Sequence, residues 1–244
     1  MHQQNTPTAT TKSSFLISDI EAIILDVEGT TTPIDFVYKV LFPFASQHLE
    51  SFITDAKNKE LIASDLELLK KEFDADTGKP LTDFNPIEYL QYLISIDRKS
   101  PALKSLQGKI WEAGYKSGEI KGEVFDEIPD SLRRWRSSGY KTYIYSSGSV
   151  LAQKLLFGHS TKGNLQCDIF GHFDTGVGAK TDPTSYTNIA NKILVAPEKC
   201  LFVSDAPAEL KAAQQAGMKV LFSNRPGNIH KNEDNYPEVS TFDF

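Results

Sequence analysis

Cysteine is scarce in this chain. Among 244 residues there are two, Cys167 and Cys200. Each adjoins an apolar segment, and neither stands at metal-ligand spacing from a histidine. Both read as buried, reduced thiols, which suits a reducing cytosolic setting. The five histidines, His2, His48, His159, His172 and His230, form no HxxxH or HExxH pair, which argues against a zinc site. No apolar run approaches the length of a membrane span. An excess of basic charge is missing too: 26 Lys and Arg against 32 Asp and Glu leave a formal net charge of −6. Nucleic-acid binding without sequence preference needs the opposite sign. Residues 1–14 are rich in Thr, Ser and Gln and hold no apolar segment, so they read as a disordered arm, not a secretory signal. There is no internal repeat and no obvious exposed apolar seam, which favours a monomer. The location expected is cytoplasmic, with a nuclear pool left open for a chain this small.

One stretch stands out, Ile23-Ile24-Leu25-Asp26-Val27-Glu28-Gly29-Thr30-Thr31-Thr32-Pro33. An apolar run ends in a carboxylate, and a second follows two residues on. The run reads as a buried strand and the remainder as a tight turn at its carboxyl end. In open α/β sheets ligands bind at that end. Asp26 is therefore a candidate nucleophile or metal ligand. Taken alone, a strand followed by an acidic turn explains the stretch as well.

Residues 35–121 have helical periodicity throughout. Val37, Val40, Leu41, Phe44 and Ala45 share a face, although Pro43 should kink or break that helix. Ile62, Leu66, Leu69 and Phe73 form a second stripe. Asn85-Pro86 and Ser100-Pro101 are helix starts. The spacing predicts about four helices, with residues 74–85 as a polar loop. Core packing is the expected role of the aromatic residues here, Phe36 and Phe44 included.

From Asp130 the pattern alternates. Asp130 is placed to cap a short helix that Gly139 ends. Strands are expected at residues 141–145, 166–170, 200–203 and 219–222, with helices between them and an irregular acidic tail after them. Strands separated by helices imply parallel pairing through right-handed crossovers. The fold class expected is α/β: a Rossmann-like parallel sheet with helices on both faces, plus an inserted all-helical cap. The core domain would comprise residues 15–34 and 122–244, and the cap residues 35–121, over the carboxyl edge of the sheet.

Parallel strands bring their ends to one edge. Asp26 and Glu28 end the first strand, Ser146 and Ser147 the second. Lys180 lies in the loop after the third, and Asp205 ends the next, with Glu209 a helical turn beyond. These are the parts of a Mg²⁺-dependent phosphoryl-transfer site. A phosphate dianion repels a carboxylate nucleophile, and a metal bridging Asp26 and a phosphate oxygen removes that repulsion. Mg²⁺ takes oxygen ligands, which Asp26, Asp205 and the Glu28 position can supply. Ser147 and the N–H groups of Gly148 and Ser149 open a helix and form an anion site that Ser146 can join. Lys180 adds a point charge. The plainer readings are a helix-capping pair for Ser146 and Ser147, a solvated loop residue for Lys180, a first-turn helix acid for Glu209 and turn or cap residues for Asp174 and Asp182.

Asp26-x-Glu28-Gly29-Thr30, Ser147, Lys180 and Asp205 resemble, in order and spacing, the four motifs of the haloacid dehalogenase-like superfamily. Phosphatases of that superfamily usually carry Asp-x-Asp where this chain has Asp26-x-Glu28. That departure, with Phe42-Pro43-Phe44-Ala45, the run from Tyr143 to Ser149, Gln153 to Ser160, Gly171 to Thr175 and Arg225-Pro226-Gly227-Asn228, is similar to the enolase-phosphatase family of methionine salvage. The resemblance implies enolisation and then dephosphorylation of 2,3-diketo-5-methylthiopentyl 1-phosphate, giving the acireductone 1,2-dihydroxy-3-keto-5-methylthiopentene. It implies one Mg²⁺ per chain. It matches Asp26, Glu28 and Asp205 to metal positions, Ser146, Ser147 and Lys180 to substrate positions, and Asp26 and Glu28 to catalysis.

Three other readings compete. A response-regulator-like receiver uses similar strand-end groups but lacks a helical insertion and the second acid. A metal-free dehalogenase does not call for the Asp205 and Glu209 pair. A binding or scaffold protein that has lost activity would not need intact motifs.

Overall fold

The structure is a computed structural model that describes residues 19–244 except 97 and 99. The arm expected at residues 1–14 lies outside the described residues. The chain divides into two compact units, one of Met1–Ile34 with Gly122–Phe244 and one of Asp35–Lys121.

The second unit is helical. It is entered through an α-helical turn, Ile34–Phe36, and a π-helical turn, Val37–Leu41, that leads directly into α1 (Phe42–Thr54). The Phe42 N–H reaches back five residues to the Val37 carbonyl. Pro43 explains this widening. Its ring would collide with the carbonyl four residues earlier in a regular α-helix, and a wider turn moves that carbonyl aside. The break expected at Pro43 is thus a local change of pitch within a continuous helical run.

Helix α2 (Lys59–Thr77) buries Ile62, Leu69 and Phe73 and ends at Gly78 in the left-handed region, φ +61°. It extends into the segment expected as loop from residue 74, because Phe73 still packs edge-on against Phe84 and Tyr89. Asp65 lies on the buried face and pairs with Lys109. Helix α3 (Pro86–Ser95) starts where Asn85 accepts the N–H groups of Ile87 and Glu88. Helix α4 (Pro101–Ser117) starts where Ser100 accepts that of Leu103. These side chains satisfy donors that a helix start leaves unpaired. Trp111 of α4 donates its indole N–H to the Leu41 carbonyl at 2.7 Å.

The first unit carries the sheet. Its strands are β1 (Ala22–Leu25), β2 (Lys141–Tyr145), β3 (Gly171–Phe173), β4 (Cys200–Ser204), β5 (Lys219–Ser223) and β6 (Glu238–Val239). Their order is β3-β2-β1-β4-β5-β6, every pairing parallel. Side chains alternate across a strand. Ala22, Ile24, Tyr143, Tyr145, Phe202 and Phe222 form one core with residues of α7 (Pro183–Ile193) and α8 (Pro207–Gln215). Ile23, Leu25, Ile144, Leu201, Val203 and Leu221 point the other way and are equally buried. The first core takes no residue from α5 (Ile128–Ser137) or α6 (Val150–Gly158). A sheet buried on both faces needs continuous apolar strands, which is how β1 and β4 read. The α/β class with helices on both faces is therefore as expected.

Four local expectations are corrected. The strand expected at residues 166–170 is a 3-10 turn, Gln166–Asp168, and pairing begins only at Gly171. That turn directs Leu165, Asp168 and Ile169 inward and leaves Cys167 exposed, so only Cys200 is a buried thiol. Helix α5 begins at Ile128 with Pro129 in its first turn, which places Asp130 inside the helix instead of at its cap. The tail is irregular for most of its length, as expected, but not throughout. It adds β6 and buries Phe242 completely, against Trp135. Among the described residues no helix is long and apolar enough to cross a membrane.

Candidate active site

The chain lays down β1, β2 and β3 outward in one direction, then returns beside β1 to lay down β4, β5 and β6 in the other. The crevice between β1 and β4 is the switch point, where α/β sheets bind ligands. Asp26 leaves β1 there, its N–H bonded to the Val203 carbonyl of β4 at 3.0 Å. Asp205 leaves β4 on the other side of the crevice.

The turn after Asp26 is tightly held. The N–H groups of Thr30, Thr31 and Thr32 all point to the Val27 carbonyl, at 3.2, 3.0 and 3.0 Å. All three threonines are fully buried. Gly29 has φ +69°, and a side chain there would meet Asp205 Oδ2 at 2.5 Å and Asn228 Oδ1 at 2.7 Å. Only glycine allows the turn to pass this close to both oxygens. In the bridge between Glu28 and Thr32, Thr32 donates to Val27 and Gly29 donates to Thr32, which leaves the Glu28 carbonyl out of that pairing.

Lys180 joins the acids. Its ammonium lies 2.5 Å from Asp26 Oδ1 and 2.7 Å from Glu209 Oε2, with the lysine almost wholly buried. Tyr186 supports the segment by donating to the Lys180 carbonyl at 2.6 Å. Ser204 Oγ sits 2.9 Å from Glu209 Oε2 and 3.4 Å from Asp26 Oδ2, and accepts the Ala206 N–H. Ser146 Oγ is 3.2 Å from Glu28 Oε2 and accepts the Gly148 N–H at 3.0 Å.

The electrostatics follow from four carboxylates and one ammonium in a water-poor crevice. Burial, then the charge of Asp26, raises the Glu28 carboxyl above its ordinary value. Asp205 is pushed up to about 7 by burial and by the neighbouring Asp26 and Glu209. Burial and Asp26 likewise push Glu209 up to about 7, against the pull of Lys180. For Lys180, burial favours the neutral amine, but Asp26 and Glu209 outweigh it and hold the ammonium.

Asp26, Glu28, Ser146, Lys180 and Asp205 thus lie at one crevice. Ser147 is in the same turn but exposed. Neither Ser146 nor Ser147 caps α6. Ser149 does, accepting the Ala152 N–H, and Ser146 takes up the Gly148 N–H expected to be open. Glu209 is more than a first-turn acid, because it shares Lys180 with Asp26. Ser204 and Asn228 have no role in the sequence reading, where Asn228 appears only within the Arg225–Asn228 match. The only signal for Ser204 is a hydroxyl ending an otherwise apolar strand.

Among the described residues, no group of three Asp, Glu, His or Cys side chains is placed to hold a metal as it stands. Glu28 turns its carboxylate to Ser146, and Lys180 neutralises Asp26. Two observations nevertheless fit an oxygen-seeking cation. The acids outnumber the ammonium, and burial, with repulsion from Asp26, raises the proton affinities of Glu28, Asp205 and Glu209. The buried Asn228 Oδ1, which has no hydrogen-bond partner, lies with Asp205 Oδ2 over the open face of Gly29. The Asn228 orientation is set, because its NH₂ donates to the carbonyls of Gly29 and Ser223, both at 2.9 Å.

A switch-point aspartate with a +2 acid, a strand-end serine, a lysine and a second strand-end aspartate define a haloacid dehalogenase-like hydrolase. The family model of that description matches residues 20–217. Two relatives named enolase-phosphatase E1 are close over nearly their whole length. The Synechococcus elongatus protein is 45% identical over 230 residues, covering 92% of this chain and 97% of its own. The Danio rerio protein is 42% identical over 240 residues, covering 90% and 92%. The crystal structure of the UTR4 protein of Saccharomyces cerevisiae superposes with a TM-score of 0.75 at 34% identity, covering 92% of this chain and 99% of that one. The chain belongs to the enolase-phosphatase E1 family.

Proposed function

We propose that the protein converts 2,3-diketo-5-methylthiopentyl 1-phosphate to the acireductone 1,2-dihydroxy-3-keto-5-methylthiopentene and phosphate, in methionine salvage. The observation that carries this reading is the Asp26 carboxylate, held by Lys180 at the switch point beside the Glu28–Ser146 pair. Asp26 attacks phosphorus and the ester P–O bond breaks. The departing enediol oxygen takes a proton from the Glu28 carboxyl, whose proton affinity burial and the neighbouring Asp26 raise. Glu28, now a carboxylate, takes a proton from the water that attacks the phospho-aspartate. Phosphate leaves and Asp26 is restored.

Enolisation must move a proton from carbon to a carbonyl oxygen. Lys180 does not serve as its base, because Asp26 and Glu209 hold it as an ammonium. Glu28 enters this step as the carboxylate, takes the carbon proton and passes it to the carbonyl oxygen, and serves as the acid of the later step once reprotonated from solvent. Lys180 and the Ser146–Ser147 turn bind the phosphate. Asp26, the Glu28 carbonyl and Asp205 would hold one Mg²⁺, which supplies the charge neutralisation that lets a carboxylate approach a phosphate dianion. The binding partner is this small phosphorylated diketone, with no nucleic acid or membrane needed. A monomer in the cytoplasm is sufficient for it.

The test is an assay with the diketone phosphate that follows released phosphate and enediol absorbance together, with Mg²⁺ and with EDTA. Both signals are expected with Mg²⁺ and neither with EDTA. Turnover unaffected by chelation would sink the reading.

A further inference from the structure

The segment from Gln153 to Thr175 carries matched motifs that the chemistry above does not use. In the fold they meet behind the Ser146–Ser149 turn. Gln153 is buried in the first turns of α6. Its side-chain NH₂ donates to the Gly148 carbonyl at 2.9 Å and to the Phe173 carbonyl at 2.8 Å. Phe173 O also accepts the Ser146 N–H, at 3.2 Å. One amide thus ties both ends of the turn to the end of β3. A second tie comes from Asp174, which accepts the Val150 N–H through Oδ2 and the Gly176 N–H through Oδ1.

The other end of Gln153 is also fixed. Its Oε1 lies 3.1 Å from His172 Nδ1, and His172 Nε2 lies 3.1 Å from Gln166 Oε1. Gln166 in turn donates its NH₂ to the Lys154 carbonyl at 3.0 Å. Both glutamines spend their NH₂ groups on backbone carbonyls, so both present oxygen to the imidazole. Burial pushes the imidazole down to about 4 and keeps it neutral, so that it donates to one of the two oxygens. Neither amide can turn over without losing those bonds.

We infer that Gln153 is a positioning residue for phosphate binding, holding the Ser146–Ser149 turn in its anion-binding shape, with His172 fixing Gln153 through the Nδ1–H tautomer. In a trans peptide the carbonyl and the following N–H point in opposite directions. Drawing the Gly148 carbonyl back onto Gln153 therefore aims the Ser149 N–H forward, away from α6. Holding Phe173 O and the Ser146 N–H together fixes the Ser146 backbone, from which Oγ reaches Glu28. The turn thus enters the encounter with phosphate already shaped and pays less ordering entropy on binding. Gln153 touches neither substrate nor the reacting acids. This inference rests on the reading of that turn as the phosphate site.

The test compares wild type with Gln153→Met, similar in volume but without polar ends, and Gln153→Glu, similar in shape but without the NH₂. With Mg²⁺ present, inorganic phosphate is titrated by calorimetry, and KM and kcat are measured on the diketone phosphate. Phosphate affinity and KM are expected to weaken about tenfold in both variants, with kcat within about threefold of wild type and far-UV circular dichroism unchanged. If one variant fails to fold, the other decides. Unchanged phosphate affinity in a folded variant overturns the inference, and so does a loss confined to kcat. The proposed function fails separately: wild type would then not turn over the diketone phosphate, while the phosphate titration would still report on Gln153.

Discussion

The Lys180 ammonium lies 2.5 Å from Asp26 Oδ1, across 154 residues of sequence, and holds Glu209 with the same nitrogen. Replacing it with methionine keeps most of the volume and leaves buried carboxylates without their cation. The loss in kcat should be on the order of 10²–10³-fold, as for removal of a charge-stabilising donor. Lys180→Arg should not restore it, because a planar guanidinium cannot occupy the place of a compact ammonium between two carboxylates. Phosphate release under saturating substrate measures both variants. Wild-type rates in Lys180→Met would remove Lys180 from the site.

Glu28 separates two roles. Its carboxylate faces Ser146, and its carbonyl is left out of the turn's bridge. Glu28→Gln should lower phosphate release by about 10²–10⁴-fold, the usual worth of a positioned acid and base. Mg²⁺ affinity, titrated by calorimetry, should change little, because the carbonyl is retained. A large loss of metal affinity would assign the side chain to the metal instead.

The raised Asp205 and Glu209 carboxyls make stability depend on pH and metal together. Both bind protons in the folded state that the unfolded chain has already released between its ordinary carboxylate range and about pH 7. Their contribution is complete below the unfolded values and is lost as pH rises through about 7. In EDTA the melting temperature should therefore fall between about pH 5 and pH 8. Mg²⁺ competes with those protons and should raise it more at the higher pH. An equal Mg²⁺ shift at both values would contradict this.

Arg225 tests a different part of the account. It is buried, paired with Glu127 at 2.5 Å, bonded to the Thr30 and Ser240 carbonyls, and flanked by the rings of Phe125 and Phe242. It holds the exit of the Asp26 turn, the start of α5 and the tail together. Arg225→Ala leaves Glu127 without its partner and should cost about 3–5 kcal/mol in urea denaturation. A loss near zero would show that the tail does not anchor the turn.

Much of this was legible in the sequence, and the rest fails for physical reasons. β1 and β4 are read correctly because a strand buried on both faces is a continuous apolar run. β3 was misplaced by several residues. It is short, half-buried and at the flank of β2, so Gly171-His172-Phe173 carries no apolar signature. β6 has two residues and pairs only because β5 offers an edge. The pitch change at Pro43 comes from sequence that reads as a break. Within the site, strand-end logic brings Asp26, Glu28, Ser146, Lys180 and Asp205 together. Gln153 and Asn228 fall within matched runs, but nothing in those runs, or at Ser204, states the contacts each makes in the fold.

The central claim is that Asp26 is the nucleophile. It is tested most directly by acid-quenching the reaction early and analysing the peptide that carries Asp26 by mass spectrometry. The account predicts a transient phosphoryl group on Asp26, lost on incubation at neutral pH, absent in EDTA and absent in Asp26→Asn, which should release no phosphate. Phosphate release by Asp26→Asn at a rate near wild type, with no phosphorylated peptide at any time, would contradict it.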